Sequence, residues 1–110
     1  MIFIVVKFPI RPDKRDEWDR VREAHTRGAR SEEGCLFFGY SQSVDDPDEY
    51  VCVEAFRDGD AAGVHVNSQA FKDFVEVMPD IVSAHPQIIN TVIEGQDAFG
   101  PMGEIAPRNA

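Results

Sequence analysis

Three residues of this chain have the types and surroundings that suit proton chemistry: His65, Glu54 and His25. His65 falls in a short helical stretch. An imidazole there can take or give a proton near neutrality, which suits general-base work on a phenol or an enol. The competing reading is a polar helix-end residue bonded to backbone or water. Glu54 lies in the apolar run EYVCVEAF. A carboxylate among such neighbours must be paired or hold its proton to higher pH. It can orient a histidine, anchor a substrate hydroxyl, or close a structural ion pair with Arg30. His25 sits on the apolar face of a long helix, facing core or cavity, where a satisfied core histidine is the competing reading. His85 precedes Pro86 and reads as an exposed loop residue.

Aromatic residues flank these candidates. Phe38 and Tyr40 share one parity class of a strand, and Trp18 shares a helix face with Val21. Where those faces meet they form either a wall for a flat ring or ordinary core. Phe56 and Phe71 extend the same candidate pocket. Other chemistries find little support. There is no His-x-x-x-His, no Cys-x-x-Cys and no close carboxylate–histidine cluster, so no metal site is expected. No glycine-rich phosphate loop follows a strand. No Gly-x-Ser-x-Gly and no cysteine–histidine pair point to nucleophilic catalysis.

The elements that must carry these residues read β-α-β-β-α-β, the ferredoxin-like split βαβ plan of an α+β domain. Residues 2–8 form a first strand rich in Ile, Val and Phe, closed by Pro9 and Pro12. A helix from Asp13 to Arg30 carries Trp18, Val21, His25 and Gly28 at steps of three and four. Strands follow at 35–43 and 49–57, joined by the turn Val44-Asp45-Asp46-Pro47-Asp48. A short helix spans Asp58 to Asn67, started by Asp58 or Asp60. A second short helix after Ser68 turns Phe71, Phe74, Val75 and Met78 inward, and Pro79 interrupts it. The last strand is 87–94. Residues 1–95 thus make one domain, and 96–110 form a tail, flexible or laid over a partner.

Size and charge exclude several classes. A chain of 110 residues is one domain, and its formal charge of −9 argues against nucleic acid and anionic membranes. Residues 11–30 hold seven of the eleven Lys and Arg against five of the twenty Asp and Glu, so only the first helix is net positive. The apolar start MIFIVVKF is too short to span a bilayer and lacks a basic leader. Two cysteines, Cys35 and Cys52, make no disulfide framework and read as small buried strand residues. A cytoplasmic location is the default.

The strand faces carry a further expectation. The first strand sets Ile2, Ile4, Val6 and Phe8 against Met1, Phe3 and Val5. The second sets Leu36, Phe38 and Tyr40 against Cys35 and Phe37, and the third sets Tyr50, Cys52 and Phe56 against Val51, Val53 and Ala55. A sheet with helices on one side and water on the other should alternate apolar with polar. This one is apolar on both sides, so its second side is expected to pack on a copy of itself in a two-fold homodimer.

The segment from Glu33 to Phe74 also resembles a known family. The order Glu33-Gly34-Cys35, Asp45-Asp46-Pro47, Glu54-Ala55-Phe56, then Ala61, His65, Ser68 and Phe71-Lys72 is similar to the motifs of the antibiotic biosynthesis monooxygenase-like proteins, which are dimeric α+β barrels. Residues 2–94 fit the family layout. The resemblance implies a monooxygenase that oxidises a quinol or phenolic aromatic with O₂ and needs no cofactor. His65 is then the base, Glu54 its orienter or the substrate anchor, and His25 a second catalytic candidate. Trp18, Phe38, Tyr40, Phe56 and Phe71 would hold the ring. The chain departs from the pattern at Phe56, where Trp is frequent, and at Glu33, where Pro often precedes Gly-Cys. Haem-degrading relatives are disfavoured: Lys7 stands near their strand-one Asn, His65 at their Trp position, and Val75 at their haem-ligand position. A non-catalytic small-molecule binder or stress-associated protein, and an isomerase or lyase acting on a small carbonyl compound, remain open, because the same fold hosts several functions.

Overall fold

The first strand is apolar at nearly every position, and the structure uses both of its edges. In the computed structural model, which describes residues 1–108, β1 (Ile2–Pro9) pairs antiparallel with β3 (Glu49–Phe56) on one side and with β4 (Gln87–Val92) on the other. β2 (Cys35–Gln42) pairs antiparallel with β3, giving the sheet order β2-β3-β1-β4. Helices α1 (Arg15–Arg30), α2 (Gly59–Val66) and α3 (Gln69–Val77) complete an α+β, ferredoxin-like domain. Among the described residues no helix is long and apolar enough to cross a membrane.

The element boundaries differ from the sequence expectation where local chemistry intervenes. The first helix begins with a 3-10 turn over Pro12–Lys14, and α proper starts at Arg15. Asp58 caps α2 from outside, accepting from the Ala61 amide at 2.9 Å, as an N-cap carboxylate should. Pro79 sits in a 3-10 turn, Met78–Asp80, where its missing N–H costs least. β4 ends at Val92 rather than at residue 94, and Gly95 then takes φ +80°, a conformation that favours glycine.

One face of the sheet meets the helices. Register puts Ile4 beside Glu54, Val6 beside Cys52 and Phe8 beside Tyr50, and all six are buried. Trp18 from α1 is fully buried over this layer, its ring centroid 5.8 Å from Phe8, 5.3 Å from Tyr40 and 5.4 Å from Tyr50. Burying an aromatic of this size contributes about 2 kcal/mol or more. The expected strand parity fails at one place. A β-bulge between Cys35 and Phe37 sets Cys35 opposite Phe56, on the helix-facing side, and leaves Leu36 more than a third exposed. Leu36 therefore does not share the face of Phe38 and Tyr40.

The other face carries Phe3, Val5, Phe37, Val51 and Val53, all half-buried, around a buried Ala55. Residues 93–108 form neither helix nor strand. From this stretch Phe99 reaches back to Phe37, with ring centroids 4.8 Å apart. Positions 109 and 110 of the expected tail lie outside the described residues.

Candidate functional site

Between the sheet and the α2–α3 pair lies a cavity of about 660 Å³. Ile4, Val6 and Phe8 of β1 and Phe56 of β3 form its floor, α2 and α3 its roof, and the loop 82–86 with Ile88 and Asn90 of β4 its mouth. Its wall is almost wholly apolar. The polar groups deep in it are His25, Glu54 and His65, so three elements distant in sequence converge here.

His65 reaches this cavity because α2 lies unusually close to the start of β2. A Cβ on Gly34 would collide with Ala61, so only glycine lets the two backbones approach. Ala61 and His65 are one helical turn apart and are the two buried residues of α2. Ser68 then caps α3, accepting from the Phe71 amide at 3.1 Å and donating its hydroxyl to the His65 carbonyl at 2.7 Å. Phe71 sets its ring edge toward the imidazole at 5.2 Å, and Phe56 lies 4.6 Å away on the sheet side. Each residue of the Ala61–Phe71 pattern thus has a task in holding one ring.

The imidazole of His65 is 3% exposed. Its Nδ1 lies 2.7 Å from Glu32 Oε1. Glu32 belongs to the tight link after α1, fixed by its own amide to the Ala29 carbonyl and by the Cys35 amide to its carbonyl, both at 3.1 Å. A carboxylate accepts, so Nδ1 carries the hydrogen, and in the neutral imidazole Nε2 then keeps the lone pair. Nε2 is buried and has no hydrogen-bond partner among the described residues.

Glu54 Oε1 stands 4.0 Å from that Nε2, too far for a direct bond and close enough to share a ligand oxygen. Its Oε2 accepts from the Cys52 thiol at 3.2 Å. Burial raises the Glu54 carboxyl above its ordinary pKa, and burial followed by the nearby Glu54 charge raises the Cys52 thiol. Two sequence expectations are corrected here. Arg30 does not pair with Glu54; its Nε donates to the Phe38 carbonyl at 2.9 Å. The group that orients His65 through a hydrogen bond is Glu32, not Glu54.

His25 is 4% exposed and lies in the same cavity. Its ring stacks on Phe74 with centroids 3.8 Å apart and lies 5.7 Å from the His65 ring. Its Nδ1 is 2.6 Å from the Tyr40 hydroxyl, and its Nε2 has no partner among the described residues. Burial, and secondarily the charge of His65, lowers its pKa to about 3, so it stays neutral. Burial raises the Tyr40 phenol above its usual value.

Of the five aromatic residues expected to hold a ring, Phe56 and Phe71 line the cavity. Trp18, Phe38 and Tyr40 do not: Trp18 is core, and Phe38 and Tyr40 stand behind His25 at 4.9 and 6.0 Å. His85, read as a plain exposed residue, is exposed but stands at the mouth. Among the described residues no group of three or more His, Cys, Asp and Glu is placed to hold a metal ion. Glu32 and Asn90 escaped sequence reasoning. Glu32 sits in a connector with no periodicity, and its partner lies 33 residues away.

Comparison with known proteins matches this architecture. The chain is 24% identical over 87 residues to sll1783 of Synechocystis, an uncharacterized protein, covering 79% of this chain but only 59% of that relative. It is 24% identical over 91 residues to YcnE of Bacillus subtilis, covering 83% of this chain and 96% of the relative. The solved structure of Rv0793 from Mycobacterium tuberculosis shares the fold, with a TM-score of 0.81, 20% identity, and coverage of 88% of this chain and 98% of that one. Residues 1–77 match the family described as antibiotic biosynthesis monooxygenase, and to that family the chain belongs.

Proposed function

We propose that the protein is a cofactor-independent monooxygenase that oxidises a quinol or phenolic aromatic with O₂. One observation carries this reading. A largely apolar cavity holds a histidine whose Nδ1 is tied to a carboxylate and whose Nε2 has no partner among the described residues. That is the arrangement of a general base waiting for a proton.

A flat phenol in the cavity would set its hydroxyl against His65 Nε2, with Glu54 Oε1 4.0 Å from that nitrogen. His65 takes the phenolic proton, and the imidazolium is stabilised by Glu32 across the 2.7 Å contact. Glu54 accepts from a neighbouring hydroxyl of the substrate. The electron-rich anion then reduces O₂ directly, with the substrate supplying the electrons. For a phenol with a free para position the sum is phenol and O₂ giving para-quinone and water. The ring loses four electrons, one oxygen atom becomes the new carbonyl, and the other leaves as water with the phenolic and para hydrogens. The apolar wall favours the delocalised anion over small hydrated ones and keeps the reactive intermediate from water.

The outer sheet face, with Phe3, Val5, Phe37, Val51 and Val53, supports a homodimer through that face.

The test is oxygen consumption with a panel of hydroquinones and naphthols, without added metal or flavin. Turnover that disappears in His65→Gln is expected. Binding without turnover would favour a non-catalytic carrier. Product formed under argon would favour an isomerase or lyase.

A further inference from the structure

We propose that His25 is the hydrogen-bond donor that stabilises the substrate oxygen once His65 has taken its proton, and that Tyr40 is the positioning residue that fixes His25 as the Nε2–H tautomer. This inference rests on the reading of the cavity as a phenol site and adds the group that receives the anion.

Two imidazoles lie deep in the cavity, 4% and 3% exposed, with rings 5.7 Å apart and 27° from parallel. Both have Nδ1 bonded and Nε2 buried without a partner among the described residues. A buried polar atom left unpaired is costly, so two in one cavity call for an explanation. The two Nδ1 partners differ in kind. Glu32 can only accept, so the hydrogen of His65 is on Nδ1 and Nε2 is a lone pair. Tyr40 is a phenol kept protonated by burial, and its hydroxyl lies 2.6 Å from His25 Nδ1. A phenol can donate or accept; the inference takes it as the donor to Nδ1, which places the hydrogen of His25 on Nε2. The cavity thus presents one acceptor and one donor, on rings whose centroids are 5.7 Å apart.

That pair matches a phenolic oxygen. The oxygen gives its proton to His65 Nε2 while a lone pair accepts from His25 Nε2–H. After transfer it accepts from both rings, and the new negative charge meets a preorganised donor in a dry site. With the hydrogen of His25 on Nδ1 instead, both Nε2 atoms would be acceptors and His25 could not donate to the anion. His25 is neutral and enclosed by Phe38, Phe71 and Phe74, so it serves as a fixed dipole and not as a second base. Besides His65, the ionisable groups around this spot among the described residues are Glu32, Tyr40, Glu54 and the Cys52 thiol, with His85 at the mouth. The arrangement selects ionisable hydroxyls and rejects O-alkylated rings of the same shape.

Two measurements test this. In ligand-free protein, ¹⁵N spectra of the histidine rings should show opposite neutral tautomers, protonated Nε2 on His25 and protonated Nδ1 on His65. Under argon, 2-naphthol should bind the wild type as its anion at a pH where the free compound is neutral. In Tyr40→Phe, affinity for the naphtholate should fall about tenfold or more while affinity for naphthalene is unchanged. His25→Gln, which keeps an N–H donor, should retain more of the anion than His25→Phe. The same tautomer on both rings, or naphtholate binding in Tyr40→Phe as tight as in wild type, would overturn the inference and leave the phenol reading standing. Wild type that takes 2-naphthol only as the neutral phenol, or not at all, would instead sink the phenol reading and this inference with it.

Discussion

Glu32 Oε1 and His65 Nδ1 meet at 2.7 Å, with a glycine-enabled contact beneath them that seats α2 on the start of β2. The carboxylate fixes which ring nitrogen is free. Replacing Glu32 with Gln keeps the shape but removes the charge that stabilises the imidazolium. Turnover on a reactive quinol should drop about 100-fold, toward the loss seen on removing a general base outright. Unchanged turnover in Glu32→Gln would remove the carboxylate from the mechanism.

The acid side of the stability curve should carry the signature of His25. Unfolded, it binds a proton near 6.5; folded, burial holds it off until about 3. Between those values the unfolded chain holds more protons, so stability is lost as pH falls, by up to about 1.4 kcal/mol per unit. Glu54 acts in the opposite sense. Its folded carboxyl keeps a proton above the ordinary 4.5, so its contribution weakens as pH rises through that range. Urea unfolding at pH 7, 5 and 4 should show a shallower acid loss in His25→Phe than in the wild type. Parallel curves would exclude His25 as the source.

Gly34 should tolerate no side chain. Alanine there forces Cβ into Ala61 and lifts α2 from the sheet. Overpacking of this kind costs about 1–3 kcal/mol. Because Gly34 also accepts the Arg57 amide at 2.8 Å, the shift should carry His65 away from Glu32. A melting temperature equal to wild type in Gly34→Ala would contradict the close approach.

The outer face makes an association prediction. Val53→Glu places a charge in the middle of the apolar outer surface, opposite Val5. Light scattering should show a dimer for the wild type and a shift toward monomer for the variant. A wild-type monomer at low micromolar concentration would end the homodimer proposal.

Much of the scaffold is legible in the sequence because it follows periodic rules. Ile4, Val6 and Phe8 share one parity class of a strand, and Trp18 with His25 repeats at helical spacing. The Leu36 placement failed because a bulge breaks strict alternation and leaves no sequence mark. Glu54 and His25 are legible as polar residues on apolar faces and His65 through the family motif, and the structure brings all three to one cavity. Their partners were not. Glu32 lies in a connector, and Tyr40 looked like a pocket wall; each gains its place only through a long-range contact. Trp18 was misread because the same helical spacing serves a core anchor and a wall residue equally well.

His25 rides on α1, and Glu32 follows seven residues later on the link that leaves it. One rigid body therefore carries a cavity imidazole and the carboxylate that sets the other. Any roll of that cylinder, by a lengthened turn or a bulkier residue beneath Gly28, would disturb both rings together. Donor and acceptor are geared to a single shaft, and neither can be retuned alone by moving it.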